Sequence, residues 1–234
     1  MKDSEMRDGK KSDLEFLVIT FETDEGLSAS TFGFAGRGAA MAGEIARSIF
    51  KPFFLGKDPL YREKHWHDYR MADRWWNHAP IYSYGPFDIN CWLLSAMQAE
   101  QPLYKYLGAY RDTVPIYASS LVLDSPDAYA KEALEYKKRG FNAYKLHPPG
   151  NYEFDLEAHK AVRKAVGNEF KLMSDPVAPY TFEQALRFGR ELEKLNYYWY
   201  EEPLFDENFH GLRELTRILD IPIIGTEVIA KHPY

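Results

Sequence analysis

The feature that most constrains the fold is the strict alternation of short apolar runs and amphipathic segments from Val114 to Val228. VPIYASS, NAYKLH, KLMSDPV, YYWYEEP and IPIIGTEV read as strands. Between them, SPDAYAKEALEYKKRG, DLEAHKAVRKAVG, TFEQALRFGRELEKLN and FHGLRELTRILD read as helices. Strict alternation implies parallel strands joined by right-handed crossovers. The repeat length suits a (β/α)8 barrel or a doubly wound sheet. Local signals agree with the helices. Ser125 stands where an N-cap is needed, Pro126 follows at the first helical position, and Gly140 lies just past the end. Thr181 and Gln184 have capping-box spacing, and Phe182, Ala185, Leu186, Leu192 and Leu195 share one apolar face.

The first half has a different rhythm. Phe16–Glu22 and Leu27–Phe32 read as strands, with TDEG between them as the turn of a hairpin. From Ala39 onward the pattern is helical: AAMAGEIARSIF, DPLYREKHWHDYRMADRWW and PFDINCWLLSAMQAEQ. Strands followed by helices make an α+β unit. The expected organisation is therefore one domain over residues 1–112 and a second over residues 113–234.

Composition narrows the function. At 45% hydrophobic residues the chain can bury a substantial core. Net charge is −6 with both signs interspersed, so no basic stripe points to nucleic acid. No apolar run reaches the roughly 18 residues of a membrane span, and the polar start MKDSEMRDGKKSD has no signal-peptide core. The single cysteine, Cys91, excludes an intrachain disulfide and a Cys-rich zinc site, and fits the cytoplasm.

Three strands end in acids: Asp175, Glu201 and Glu227, spaced 26 residues apart in each case. Equal spacing over successive β/α units sets equivalent positions on neighbouring strands, so the carboxylates converge at the C-terminal mouth. A strand-end acid often caps the next helix or pairs with lysine. Three in step with the repeat point instead to a shared cation, and oxygen-only ligation favours Mg²⁺ over zinc. One β/α unit earlier, YKLHPPG puts Lys145 and His147 two residues apart, on one face of a strand. Beside a metal that stabilises an enolate-like anion, they form a general-base site for removing a proton α to a carboxylate.

Taken together, FETDEGLSA, DINCWLLSAMQAEQPLYKYLG, VPIYAS, the Lys145–His147 pair and the three acids resemble the enolase superfamily, in its mandelate racemase and muconate lactonizing enzyme-like branch. The resemblance implies an α+β capping domain followed by a partial (β/α)8 TIM-type barrel of five β/α units. It implies Mg²⁺ on Asp175, Glu201 and Glu227, with Lys145 and His147 as catalytic residues. The implied substrate is a small carboxylate, and the implied reaction is dehydration of an acid sugar (an aldonate or aldarate). The alternatives are a racemase, epimerase or cycloisomerase of the same superfamily, or an inactive scaffold. Two departures stand out. The second lysine of the family's Lys-x-Lys pair is His147 here, so either the histidine takes that lysine's role or this face of the site is not used for abstraction; and the chain stops at Tyr234, after strand five, so a fragment of a longer protein is expected. The start is also short of the family's first cap strand. Open sheet edges imply pairing with a second copy, a homo-oligomer.

Other signals are weaker. The glycine-rich Thr31–Gly38 lacks the spacing of a phosphate loop and reads as a loop of the cap. His65-Trp66-His67 reads as an aromatic helix surface, and Arg74–His78 as a tryptophan-rich core or interface. Cys91 reads as buried and inert. Glu202 is expected to face away from Glu201, toward the barrel wall, and to make a supporting pairing, for example with a strand-two lysine.

Overall fold

The structure, a computed structural model, describes residues 4–5, 11–12, 15–36, 39–74, 79, 81–227 and 229. It divides into two compact units, one up to Asp112 and one from Thr113 to Ile229.

The first unit opens with the short antiparallel pair β1 (Ser4–Glu5) and β2 (Lys11–Ser12). The hairpin β3 (Glu15–Glu22) and β4 (Ser28–Gly36) follows. Its turn is closed by Thr23, whose N–H donates to the Leu27 carbonyl at 2.9 Å, and Gly26 supplies the left-handed backbone, φ +87°. The glycine-rich stretch is thus largely strand rather than loop, while Arg37 and Gly38 lie outside the described residues. The first helical stretch is not one helix. It runs as α1 (Ala39–Ile45), a π-helical segment Ala46–Phe50 and α2 (Lys51–Phe54). After it come α3 (Arg62–Ala72), α4 (Ile81–Gln98) and α5 (Leu103–Tyr106).

Alternation along β3 turns Leu17, Ile19 and Phe21 onto an aromatic core with Phe50, Phe54, Tyr69, Tyr84, Phe87 and Cys91. Tyr69 and Tyr84 stack at 4.3 Å between centroids, as do Phe54 and Phe87 at 5.4 Å. Asn90 is fully buried and donates to the Ile19 carbonyl at 3.0 Å, tying α4 to the strand. His65 corrects the reading of HWH as a surface. It is buried against Phe53 and Phe54, with Nε2 2.8 Å from the Asp58 carbonyl, while His67 remains exposed. Trp75–His78 lie outside the described residues.

The second unit holds β5 (Ala118–Ser119), α6 (Pro126–Lys138), β6 (Ala143–Leu146), α7 (Tyr152–Val166), β7 (Lys171–Ser174), α8 (Phe182–Lys194), β8 (Trp199–Glu201), α9 (Phe209–Ile218) and β9 (Ile223–Ile224). The five strands pair parallel in the order β5-β6-β7-β8-β9. A doubly wound sheet must reverse its strand order at a switch point. This sheet never does, so it is the partial barrel.

Side-chain caps start the helices. Ser125, Asn151 and Asn208 accept backbone N–H groups of their first turns, and Thr181 forms a complete capping box with Gln184. Tyr144, Leu146, Leu172 and Tyr200 point to the helix side and are fully buried against Ala158, Val162, Ala185, Phe188, Leu192 and Leu215. The alternate positions Lys145 and Met173, paired in register, therefore take the opposite face.

Candidate functional site

The strand ends bring the predicted residues together. Asp175 directly follows β7, and its N–H extends the ladder by donating to the Leu146 carbonyl at 2.9 Å. Glu201 is the last residue of β8. Glu227 lies in a turn beyond β9 and is exposed, where the sequence placed it at a strand end. The three carboxylates each offer an oxygen within 4.8 Å of the others.

Lys145 and His147 converge on the same oxygen. Lys145 Nζ donates to Asp175 Oδ2 at 2.9 Å and to Glu201 Oε2 at 3.0 Å. His147 Nε2 lies 2.9 Å from that Asp175 Oδ2. Burial opposes the charge on Lys145, but its bonds to Asp175 and Glu201 more than reverse this and hold its pKa above the ordinary lysine value. Burial likewise raises the Asp175 carboxyl, and the His147 and Lys145 contacts overcome it and hold the carboxyl below its usual range.

His147 is held by residues the sequence reading did not single out. Its backbone N–H donates to Ser120 Oγ at 2.9 Å, and its carbonyl accepts the Tyr129 hydroxyl at 2.7 Å. Its Nδ1 is 2.8 Å from the Ser120 carbonyl. A carbonyl can only accept, so Nδ1 carries a proton and Nε2 is the nitrogen turned to the acids. Trp199 was also missed; its indole Nε1 donates to Glu201 Oε2 at 3.1 Å. The only sequence signal for Ser120 and Tyr129 was their position after β5 and in the following helix.

Glu202 corrects an expectation. It is buried but does not pair with Lys145, whose ammonium is bonded to Asp175 and Glu201. Its Oε1 accepts the backbone N–H of Glu227 at 3.2 Å. The chain has left the strand at Glu202, φ +41°, so strand alternation no longer sets its direction. Burial, then the charges of Asp206 and Asp175, push its carboxyl up to about 7.

The donor set fits a hard divalent cation. All three groups are carboxylates, and Asp175 Oδ1 is buried without a hydrogen-bond partner.

Residues 128–233 match the family model described as Enolase C-terminal domain-like. The chain is 30% identical over 233 residues to an L-talarate/galactarate dehydratase of Salmonella typhimurium, covering 94% of this chain and 56% of that protein. It is 29% identical over 216 residues to a hydrophobic dipeptide epimerase of Enterococcus faecalis, covering 90% of this chain and 59% of that protein. Among solved structures it is similar to D-glucarate dehydratase from Agrobacterium tumefaciens complexed with magnesium, with TM-score 0.83, 30% identity and coverage of 93% of this chain and 60% of that one. The chain thus spans about three fifths of the length of the curated relatives it matches. With its parallel five-stranded partial barrel and acids at successive strand exits, the chain belongs to the enolase superfamily, in the mandelate racemase and muconate lactonizing enzyme-like branch.

Proposed function

We propose that Asp175, Glu201 and Glu227 hold Mg²⁺, and that Lys145 and His147 serve the removal of a proton α to a substrate carboxylate. The proposed reaction is dehydration of an acid sugar, an aldonate or aldarate. The convergence of three carboxylates within 4.8 Å is the observation that carries it. Similarity to two acid-sugar dehydratases, one of them solved with magnesium, supports the reaction type.

Mg²⁺ at this site would supply a Lewis acid beside the carboxylate, stabilising the negative charge that follows loss of the α-proton. The remaining work falls to this chain's own residues. His147 presents Nε2, the nitrogen opposite its Ser120-bonded Nδ1, as the atom that takes up the proton once its contact with the accepting Asp175 Oδ2 is given up. Lys145 supplies a fixed positive charge next to the acids, where an anionic substrate has to be accepted. Trp199 and Ser120 hold Glu201 and His147 in place.

The single cysteine supports a cytoplasmic location. No helix among the described residues is long and apolar enough to cross a membrane.

The test is proton NMR of the 234-residue chain with Mg²⁺ and a panel of aldonates and aldarates in D₂O. Dehydration would remove the α-proton signal and produce a monodeuterated CHD group at the neighbouring carbon, its deuteron taken from solvent as the enol ketonises, and His147→Asn would abolish both. Exchange of the α-proton of dipeptides or acylated amino acids, with acid sugars untouched, would favour the epimerase and racemase reading instead.

A further inference from the structure

Glu227 is the weakest-placed of the three carboxylates. Asp175 and Glu201 are fixed by the sheet, but Glu227 sits in a turn three residues beyond β9 and faces solvent. Something other than the strand ladder must hold it.

Two buried acids, Glu202 and Asp206, meet its backbone. Glu202 Oε1 accepts the Glu227 N–H at 3.2 Å, and Asp206 Oδ1 accepts the Thr226 N–H at 2.9 Å. Two consecutive amides are therefore fixed by two carboxylates from the loop after β8. Both acids are about 95% buried, with exposures of 4% and 5%. Glu202 is itself pinned on both sides. Its N–H donates to the Ile224 carbonyl and its carbonyl accepts the Ala178 N–H, each at 2.8 Å. Thr226 has φ +76°, a left-handed conformation that a β-branched residue rarely adopts. Such a conformation persists where its surroundings over-determine it, and the Asp206 bond is one such constraint.

We infer that Glu202 and Asp206 are positioning residues for Glu227, acting through the Thr226 and Glu227 amides to aim its carboxylate at Asp175 and Glu201. This rests on the proposed role of Glu227 as a metal ligand. Neither acid touches the reacting atoms; each acts through the backbone that carries the ligand.

The test compares wild type with Glu202→Gln, Glu202→Leu, Asp206→Asn and Asp206→Leu in the full chain. Amide hydrogen exchange at Thr226 and Glu227 is read without metal, and Mg²⁺ affinity is read by calorimetry. Gln and Asn keep an acceptor oxygen, so they should keep both amides protected and hold Mg²⁺ affinity within about threefold of wild type. The Leu variants should lose protection at these amides by about tenfold or more, with the Leu172 amide unchanged, and should bind Mg²⁺ about 10–100-fold more weakly. Folded Leu variants that keep both the protection and the affinity would overturn the inference. So would Gln and Asn variants as impaired as the Leu ones. If one Leu variant fails to fold, the other acid's pair decides at its own amide. A wild type that binds no Mg²⁺ would refute the metal assignment, and amide exchange would still decide the anchoring.

Discussion

The Lys145 ammonium lies 3.0 Å from Glu201 Oε2, joining residues 56 apart in sequence and two strands apart in the sheet. Asp175, on the strand between them, takes the same ammonium at 2.9 Å. One lysine thus bridges two acids that would otherwise repel across the mouth of the sheet.

Lys145→Met removes that cation and leaves Asp175 and Glu201 facing each other. Breaking a buried pair by deleting one partner costs about 3–5 kcal/mol. Urea unfolding in the absence of metal should show a loss of that order, and saturating Mg²⁺ should recover part of it. An unchanged midpoint would mean the pair contributes nothing to stability.

Two buried groups behind the sheet should oppose each other as pH falls. His159 is held between the Asp155 carbonyl at 2.6 Å and Ser174 Oγ at 2.8 Å, and burial pushes its pKa down to about 4. Its contribution is complete above the unfolded value near 6.5 and is lost as pH falls through about 4. Burial pushes Asp155 up to about 6 despite the bond from the Tyr180 hydroxyl. Its contribution is complete below the unfolded value near 3.8 and is lost as pH rises through about 6. Each amounts to about 3 kcal/mol between pH 7 and 4, with opposite signs. Relative to wild type, Asp155→Asn should lose stability by that amount over this range, and His159→Gln should gain it. Denaturation curves in which both variants track wild type at every pH would contradict the assignment.

Cys91 is 1% exposed, and burial, then the charge of Asp88, pushes its thiol up to about 12. A thiol so placed is scarcely ionised at pH 8 and unreactive. An aromatic disulfide reagent should label it only after denaturant is added. Stoichiometric labelling of the native chain within minutes would show that the core around Phe50 and Tyr84 opens.

Much of the second unit was legible because its signals are local. Ser125 and Thr181 cap the helices they were expected to cap, and the equal spacing of Asp175, Glu201 and Glu227 pointed to one mouth. What stayed hidden depends on contacts remote in sequence. The clamp of Ser120 on His147 crosses 27 residues, and that of Asp206 on Thr226 crosses 20. The lysine suggested as a partner for Glu202 is taken by Asp175 and Glu201, and Glu202 instead accepts the N–H of Glu227, 25 residues on. His65 was misassigned because HWH carries no apolar period, and its burial follows from Phe53 and Phe54 on another helical segment.

The most direct test of the account is Mg²⁺ binding to the 234-residue chain by calorimetry, beside Asp175→Asn. Wild type should bind one Mg²⁺, and the variant, still folded by circular dichroism, should bind it at least about tenfold more weakly. Equal affinity in the two proteins, or no binding by a folded wild type, would contradict a metal site built on Asp175, Glu201 and Glu227.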